Sequence, residues 1–254
     1  PTVLFFCSAR FSNLTPHTTF NGLLPSSATQ FLPSTVQRKL SKTLDYSSAT
    51  TKINVAVDSL PDFGQFTGTR KGLVGPEHQG TIHLGCETME QLHHSYLDAT
   101  ENRCSKLPLI EMTIPSSIDT TISPPGQHVI NLFCQYTPYS VEGGWTSANK
   151  RAFCDDVFDL IELYCPGFKH SVIGEPDILT PVDLEEEFGL TGGSIMHGAM
   201  GLERIFFNRP FAEIADYRTP IRGLYMCGAG MHPGGGVMGA AGRNCARVIN
   251  GGEF

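Results

Sequence analysis

Residues 223–239 read GLYMCGAGMHPGGGVMG, an apolar run between glycines followed by a segment with almost no side chains. The run 223–228 is short and bounded by glycine, which is typical of a buried parallel strand. Residues 229–236 have the composition of a loop, and the pattern from Val237 to Ile249 predicts a helix. In this order, backbone N–H groups at the helix N-terminus can face an anionic or electron-rich ligand, which glycines allow to approach closely. The segment therefore predicts a cofactor contact without naming the cofactor.

Gly234, Gly236 and Gly239 satisfy the dinucleotide pattern G-x-G-x-x-G. However, residues 229–233 separate the strand from the first of these glycines, and the sequence ends before the ribose-binding acid expected about 20 residues on. A Walker A phosphate loop is excluded because alanine, not lysine, follows Gly239. Two interpretations stay open at this point, a cofactor loop and a glycine turn that only allows close packing of a helix on a strand.

The composition is that of a globular protein, with 254 residues, 40% hydrophobic and 17% charged, and a formal net charge of −7. This length suffices for one or two domains with a core. No apolar run approaches the roughly 18 residues of a membrane span, and the acidic balance gives no support for a nucleic-acid partner. The eight cysteines include no C-x-x-C pair, so neither a zinc ribbon nor a dithiol centre is visible and no metal site is expected. Free thiols in a reducing compartment are favoured over disulfides.

Hydrophobic periodicity predicts a mixed α/β chain. An amphipathic helix is predicted over 33–44, because apolar residues recur there every four positions. Strand-like runs at 52–57, 81–84, 109–114 and 129–136, separated by proline- and glycine-rich segments, predict an antiparallel or mixed sheet, and further strands are predicted at 2–7 and 172–179. Helices are predicted at 90–99, 148–164 and 181–188.

Residues 223–244 resemble the C-terminal flavin-binding signature of the phytoene desaturase-like (carotenoid-type), amine-oxidase-related FAD-dependent oxidoreductases. Residues 192–210 resemble the segment that precedes this signature. Residues 51–58, 114–119 and 166–169 are similar to one animal branch of the family. The resemblance covers the chain from about Ser12 to Asn250 and corresponds to the C-terminal half of the family's pattern.

The resemblance implies an α/β fold of mixed α+β type, in which an interrupted Rossmann-type FAD-binding domain surrounds a substrate domain with a mixed or antiparallel sheet. Residues 1–24 would return from the FAD-binding domain, residues 25–190 would form the substrate domain, and residues 191–254 would close the FAD-binding domain. The family's N-terminal glycine-rich βαβ unit, which binds the ADP portion of FAD, is not in this sequence. The chain is therefore expected to begin mid-protein and to supply only the isoalloxazine and ribityl side of the site.

The resemblance places the FAD contacts on one loop: Gly228, Ala229, Gly230, His232, Pro233, Gly234, Gly235, Gly236, Val237, Met238 and Gly239. The last three would open a helix whose N-terminus faces the pyrimidine edge of the flavin and stabilises its reduced form by about 1 kcal/mol. Where some relatives carry an acid for the sugar-phosphate part of the cofactor, this sequence has Ala229.

No catalytic residue is assigned, and His197 and His232 are the candidates. For His197 a general acid–base role and a structural hydrogen-bonding role are both open, and His232 is either a flavin- or substrate-side contact or a loop residue. Arg209 and Arg243 are open between an anion contact and an ordinary structural or solvated role. Cys227 is expected to be a buried apolar thiol without a redox role.

The leading hypothesis is an FAD-dependent oxidoreductase of the dehydrogenase or desaturase type that takes hydride from an unidentified organic small molecule and passes electrons to a quinone or oxygen. This segment alone would be inactive. The alternative is a non-catalytic flavoprotein-like scaffold that acts through a protein partner. An NAD-dependent dehydrogenase built on residues 234–239 is excluded, because residues 229–233 separate the strand from the first glycine and the ribose-binding acid is absent. The resemblance implies an intracellular setting, which is the mitochondrial matrix for the animal branch.

Overall fold

The computed structural model describes residues 9–41, 45–46, 50–68 and 70–252. These residues divide into unit 1, drawn from Pro1–Ser48 and Leu184–Phe254, and unit 2, Ala49–Asp183. Residues 25–48 and 184–190, which the sequence placed in the substrate domain, thus group with unit 1. The assignment of one unit to FAD and the other to substrate stays a prediction.

Seven strands lie in the described residues: β1 (Arg10–Ser12), β2 (Thr50–Val57), β3 (Ile82–Leu84), β4 (Leu109–Thr113), β5 (His128–Gln135), β6 (Val172–Leu179) and β7 (Leu224–Met226). Eight α-helices accompany them there: α1 (Ser26–Thr29), α2 (Ser34–Ser41), α3 (Gly64–Thr67), α4 (Met89–Thr100), α5 (Ser147–Tyr164), α6 (Phe168–Ser171), α7 (Pro181–Phe188) and α8 (Ala240–Ile249). None of these helices is both long enough and apolar enough to cross a bilayer.

Unit 2 is built on an antiparallel sheet with the strand order β3-β4-β5-β2-β6. Side chains alternate between the two faces of a strand, so every second residue of β2 and β5 turns into the core. The buried residues of these two strands follow that period: Ile53, Val55, Val57, Ile130, Leu132 and Cys134. The register between β2 and β6 shifts between Asn54 and Ala56, and Pro176 is tolerated in β6 because β6 is an edge strand.

Helix α5 supplies the other half of this core. It begins after Thr146, whose hydroxyl oxygen accepts a hydrogen bond from the Asn149 N–H at 3.2 Å, and it ends before Pro166. Its buried side chains recur at helical spacing and join the sheet residues in one cluster: Phe153, Cys154, Val157, Phe158, Leu160 and Ile161. The predicted helix over 148–164 is confirmed.

Unit 1 contains a parallel pair of strands, in which Arg10 of β1 lies opposite Leu224 of β7 and Ser12 opposite Met226. The predicted parallel strand at 223–228 is therefore confirmed with a shorter span. The strand predicted at Thr2–Cys7 lies outside the described residues, and β1 forms just before the predicted turn. The unit 1 core packs α2 and α8 with β7 and the segment before it: Phe20, Leu32, Val36, Leu40, Phe211, Ile214, Tyr217, Met226, Met231, Ala241, Cys245 and Val248.

The predicted fold class is confirmed: the chain is mixed α/β, with an antiparallel sheet in one unit and a parallel strand pair in the other. The start of the last helix is a correction. The sequence pattern predicted a helix over Val237–Ile249, but α8 begins at Ala240. Val237 and Gly239 have φ angles of +55° and +67°, outside the right-handed helical region, so the helix can propagate only after them.

Candidate cofactor site

The glycine loop, residues 227–239, connects β7 to α8 in unit 1. Its first residue continues the strand, because the Cys227 N–H donates to the Ser12 carbonyl at 2.8 Å. Two successive turns follow, in which Met231 N–H donates to Gly228 O at 3.0 Å and Gly234 N–H to Met231 O at 2.8 Å. All the predicted cofactor contacts lie on this one ordered loop.

The first of the loop glycines is required by packing within the protein. A β-carbon on Gly228 would lie 2.2 Å from the carbonyl oxygen of Asn13, whereas one on Gly230 would make a tight contact of 3.1 Å with Cδ of Pro16. Only glycine at 228 allows the loop to approach the backbone after β1 this closely. For Gly228 the packing interpretation is therefore sufficient, and the contact of Gly228 and Gly230 with a cofactor stays a prediction.

In the second half of the glycine loop, the near contacts are with flexible methionine side chains rather than with backbone. Gly236 and Gly239 have φ angles of +111° and +67°. A β-carbon on Gly236 would lie 3.0 Å from Cε of Met238, and one on Gly239 would meet nothing within 4 Å. Between them, Val237 adopts a φ of +55°, which is unfavourable for a β-branched residue, and its side chain is fully exposed at 106%. Open space, positive φ and an exposed apolar side chain are the features of a loop that faces a ligand rather than a core.

Methionine side chains surround this open half. A β-carbon on Gly235 would lie 2.5 Å from Sδ of Met196, and one on Gly234 would lie 2.8 Å from Cε of Met200. Met196, Met200 and Met238 are all partly or largely exposed. Together with the side-chain-free backbone of 234–236, these methionines offer apolar contacts, so the residues present are chemically compatible with the isoalloxazine of FAD.

The correction to α8 changes how the loop can use a helix dipole. Val237, Met238 and Gly239 were predicted to open the helix, but the first two precede it and Gly239 is its N-cap residue in the left-handed conformation. The N–H groups of the first helical turn begin at Ala240. Any contribution of the helix terminus to a bound anion must therefore come from the residues after Gly239.

Arg209 binds the backbone of the glycine loop. Its side chain is buried, with 2% exposed, and it precedes the cis peptide bond to Pro210. The guanidinium donates to the Ala229 carbonyl from both Nε (3.2 Å) and Nη2 (2.8 Å). Its remaining hydrogen bonds also go to backbone carbonyls: Met196 at 2.5 Å, Ala199 at 3.3 Å and Arg204 at 3.4 Å. The sequence left the role of Arg209 open, and the structure assigns it a structural one.

His197 lies beside the loop, as a β-carbon on Gly230 would be 3.5 Å from the His197 Cβ. It adopts a φ of +56°, and its buried Nδ1 has no hydrogen-bond partner among the described residues. Burial, with a further contribution from the charge of Arg209, lowers the pKa of this imidazole. The structure therefore presents His197 as a neutral imidazole with one buried polar atom that has no partner among the described residues, and its acid–base role stays a prediction beside the structural one.

A small cavity of about 10 Å³ adjoins His197, and it is lined by Tyr46, His197, Gly198, Ala199, Arg204, Arg209, Pro210 and Gly230. This volume holds at most about one water molecule. The Tyr46 hydroxyl accepts a hydrogen bond from the His17 N–H at 3.1 Å, and burial raises the pKa of Tyr46 to about 12. Sequence reasoning missed Tyr46 because it is far from the loop along the chain and belongs to no motif.

His232 is held through its backbone. Its carbonyl accepts a hydrogen bond from the Tyr217 hydroxyl at 2.7 Å, and that hydroxyl in turn accepts one from Nδ2 of Asn244 at 2.9 Å. The imidazole of His232 packs against Phe206, with the ring centroids 5.6 Å apart. By contrast, Arg243 lies on the exposed face of α8. The chain Asn244–Tyr217–His232 fixes the start of the 233–239 segment to α8.

The cysteines in the described residues are free thiols, as the sequence predicted. Cys227 is half-buried rather than fully buried, burial raises its pKa, and its Sγ lies 3.5 Å from the Ser12 carbonyl oxygen. A raised thiol pKa disfavours the reactive thiolate. Within the described part of the chain, no group of His, Cys, Asp and Glu side chains has the arrangement of a metal site.

The unpartnered imidazole predicts an acid sensitivity. Because the pKa of folded His197 is lowered, the unfolded state binds more protons below its ordinary value of about 6.5, so stability falls as pH falls. We expect His197→Asn, which tolerates positive φ, to flatten the decline in the free energy of unfolding between about pH 7 and pH 5, by up to about 1.4 kcal/mol per pH unit. Urea titrations across this range measure it, with His94→Asn at an exposed position as the control. Parallel pH profiles for the wild type and His197→Asn would contradict it.

No protein-family model matches the chain. It is 50% identical over 236 residues to the pyridine nucleotide-disulfide oxidoreductase domain-containing protein 2 of Rattus norvegicus, a match that covers 92% of this chain and 40% of that protein. It is 29% identical over 144 residues to the 4,4'-diapophytoene desaturase (4,4'-diaponeurosporene-forming) of Staphylococcus aureus, over 54% of this chain and 27% of the desaturase. The crystal structure of an oxidoreductase from Methanosarcina mazei aligns with a TM-score of 0.48 and 16% identity, over 96% of this chain and 43% of that one.

The chain thus spans about 40% of the length of the rat relative. The resemblance that residues 192–210 and 223–244 indicated is confirmed, both for the animal branch and, at lower identity, for a desaturase. Over 92% of its length, the chain is therefore similar to part of pyridine nucleotide-disulfide oxidoreductase domain-containing protein 2, and over 54% of its length it is similar, at lower identity, to part of a desaturase.

Proposed function

We propose that this chain, within a polypeptide as long as its relatives, forms the isoalloxazine side of the FAD site of an oxidoreductase that takes hydride from an organic small molecule. The observation that carries the proposal is the open half of the glycine loop. There, Gly239 adopts positive φ with open space around it, Gly236 adopts positive φ beside the exposed side chain of Met238, and Val237 is fully exposed between them. The name of the rat relative, an oxidoreductase domain-containing protein, supports the same class of activity.

Bound FAD would supply the hydride acceptor and pass the electrons on, with a quinone or oxygen as the proposed acceptor class. The protein's own part is to bind and orient the ring. The backbone of 234–236 permits close approach, and Met196, Met200 and Val237 would cover apolar ring surface and exclude water. His197, with its unused Nδ1, is the proposed site at which the chain accepts or returns the substrate proton.

The substrate is proposed only as an organic molecule with a C–H bond from which hydride can leave. The animal branch of the family makes the mitochondrial matrix the proposed location, which fractionation of tagged protein would test. The alternative proposal is a non-catalytic scaffold. Without bound flavin, such a protein would exert its function by binding a protein partner.

The visible absorption spectrum of the full-length gene product tests the function. We expect the bands of bound flavin in the full-length protein and none in the 254-residue chain alone, because the chain lacks the sequence pattern that binds the ADP portion. A full-length protein without flavin, even after incubation with excess FAD, would contradict the oxidoreductase proposal. The alternative, a non-catalytic scaffold that acts through a protein partner, would then be favoured.

A matched pair of surface variants locates the site in the same assay. Val237→Asp replaces a fully exposed apolar side chain on the glycine loop, whereas Phe31→Asp does so at an 82% exposed position of unit 1 outside that loop. We expect Val237→Asp to raise the Kd for FAD about tenfold, since burying a valine is worth about 1.5 kcal/mol, and Phe31→Asp to leave it unchanged. Equal Kd values for the two variants would mean that FAD binds elsewhere.

A further inference from the structure

Arg209 is a buried cation with no acidic partner. Its guanidinium bonds reach only the carbonyls of the segment 196–204 and of Ala229, and among the described residues no Asp or Glu lies within ion-pair distance of it. Arginine keeps its charge in proteins, and a buried charge is normally accompanied by an opposite one. Among the described residues, only the dipoles of backbone carbonyl groups compensate the charge of Arg209, so its guanidinium keeps a net positive charge inside unit 1.

The groups facing Arg209 do not supply the missing negative charge. Burial raises the pKa of Tyr46 to about 12 and lowers that of His197, so both side chains are neutral near pH 7. Besides burial, the charges that act on the pKa of Arg209 are those of Tyr46 and Arg204; Arg204 is itself cationic, and its Nε lies 3.6 Å from the exposed carboxylate of Glu203. The surroundings therefore favour an anion near Arg209 over any neutral species.

The charge lies directly behind the surface that would meet the flavin. A β-carbon on Gly234 would be 3.6 Å from Nε of Arg209, and the Ala229 carbonyl accepts two of its hydrogen bonds. The same loop continues within a few residues to the open positions 236–239. At such separations, and in a site from which water is excluded, a unit charge still acts strongly on a bound group.

We propose that Arg209 is a positioning residue with a second role, in which its buried charge favours the reduced, anionic form of the bound flavin over the oxidised form. This rests on the proposed function. Reduction of neutral oxidised flavin by two electrons and one proton leaves one negative charge on the ring, and the charge of Arg209 offsets it. The consequence is a higher reduction potential than the same loop would give without the cation.

The test compares Arg209→Lys and Arg209→Met in the full-length protein reconstituted with FAD. The midpoint potential is measured by equilibration with redox dyes, and the Kd for oxidised FAD by flavin fluorescence. We expect Arg209→Met to lower the ratio of reduced to oxidised flavin at a given potential at least tenfold, which is about 30 mV for a two-electron couple. Arg209→Lys should keep most of the potential but weaken binding of oxidised FAD, because one ammonium cannot replace the five hydrogen bonds of the guanidinium, two of which go to the glycine loop.

A second pair keeps the test valid if Arg209→Met does not fold. Met200 is partly exposed and its Cε lies next to the same β-carbon position on Gly234 that Arg209 approaches. Met200→Glu places a negative charge near the guanidinium, and Met200→Gln is its uncharged control. We expect the glutamate variant to have the lower potential of the two, again by about tenfold in the reduced-to-oxidised ratio.

The outcomes separate the two proposals. If flavin binds and the potential is unchanged in Arg209→Met, or is equal in Met200→Glu and Met200→Gln, the charge role of Arg209 is overturned and the proposed function stands. If the wild-type protein binds no flavin in the oxidised or the reduced state, both proposals are overturned.

Discussion

Gly228→Ala is expected to destabilise unit 1 by about 3 kcal/mol or more. The new β-carbon would lie 2.2 Å from the carbonyl oxygen of Asn13, and 2.7 Å and 2.9 Å from the carbonyl carbon and Cα of the same residue. These are backbone atoms, so no side-chain rotation relieves the overlap. Asn13 directly follows β1, and the parallel pairing of β1 with β7 would have to open for the methyl group to fit. The free energy of unfolding in urea measures the loss.

Gly242→Ala is the matched control for this prediction. Gly242 lies within α8, in the same unit, and a β-carbon there would meet nothing within 4 Å. Alanine should therefore raise stability by about 0.5–1 kcal/mol through its greater helix propensity. Equal unfolding midpoints for Gly228→Ala and the wild type would show that β1 and β7 do not approach each other as described.

The elements that could be predicted from the sequence are those whose pattern is local and repeated. Alternation in residues 52–57 and 129–136 identified two strands of the unit 2 sheet, and helical spacing over 148–164 identified α5 to within one residue of its start. The predicted helix at 33–44 is found as α2, with residues 42–44 outside the described part of the chain. In each case, burial of one face explains both the pattern and the element.

The start of α8 was mispredicted for a backbone reason. Apolar and small residues at 237–239 continue the helical composition, but composition does not report φ, and positive φ at Val237 and Gly239 ends any helix that includes them. The pattern G-x-G-x-x-G at residues 234–239 is only a weak sign that the backbone there departs from a helix. Such local conflicts between propensity and conformation are expected at functional sites.

The residues that pack against the glycine loop and hydrogen-bond to it could not be predicted from the sequence. Arg209 acts through carbonyl groups, and every residue has a carbonyl group, so no side-chain pattern marks its partners. Tyr46 and His197 meet in one small cavity although about 150 residues separate them in the chain. The family resemblance identified the loop, and only the fold identified the residues that hold it.

Leu132→Ala is expected to destabilise unit 2 by about 3 kcal/mol. Leu132 is fully buried in β5, where it lies opposite Ile53 of β2 on one side and Met112 of β4 on the other. Removing its branched end leaves a cavity between three strands whose backbone hydrogen bonds prevent collapse into the space. Leu163→Ala, at a 71% exposed position of α5 in the same unit, is the control and should change stability by less than about 0.5 kcal/mol.

The same experiment tests the register of the sheet. A shift of one residue would turn Phe133 into the core and Leu132 to the other face, because side chains alternate strictly along a strand. Phe133 is only partly buried in the register described, where it lies opposite Lys52 and Glu111. A larger loss of unfolding free energy in Phe133→Ala than in Leu132→Ala would therefore contradict the pairing of β5 with β2 and β4. The expected order, with Leu132 first, would fix which face of the unit 2 sheet is core and leave the other face for contacts outside that core.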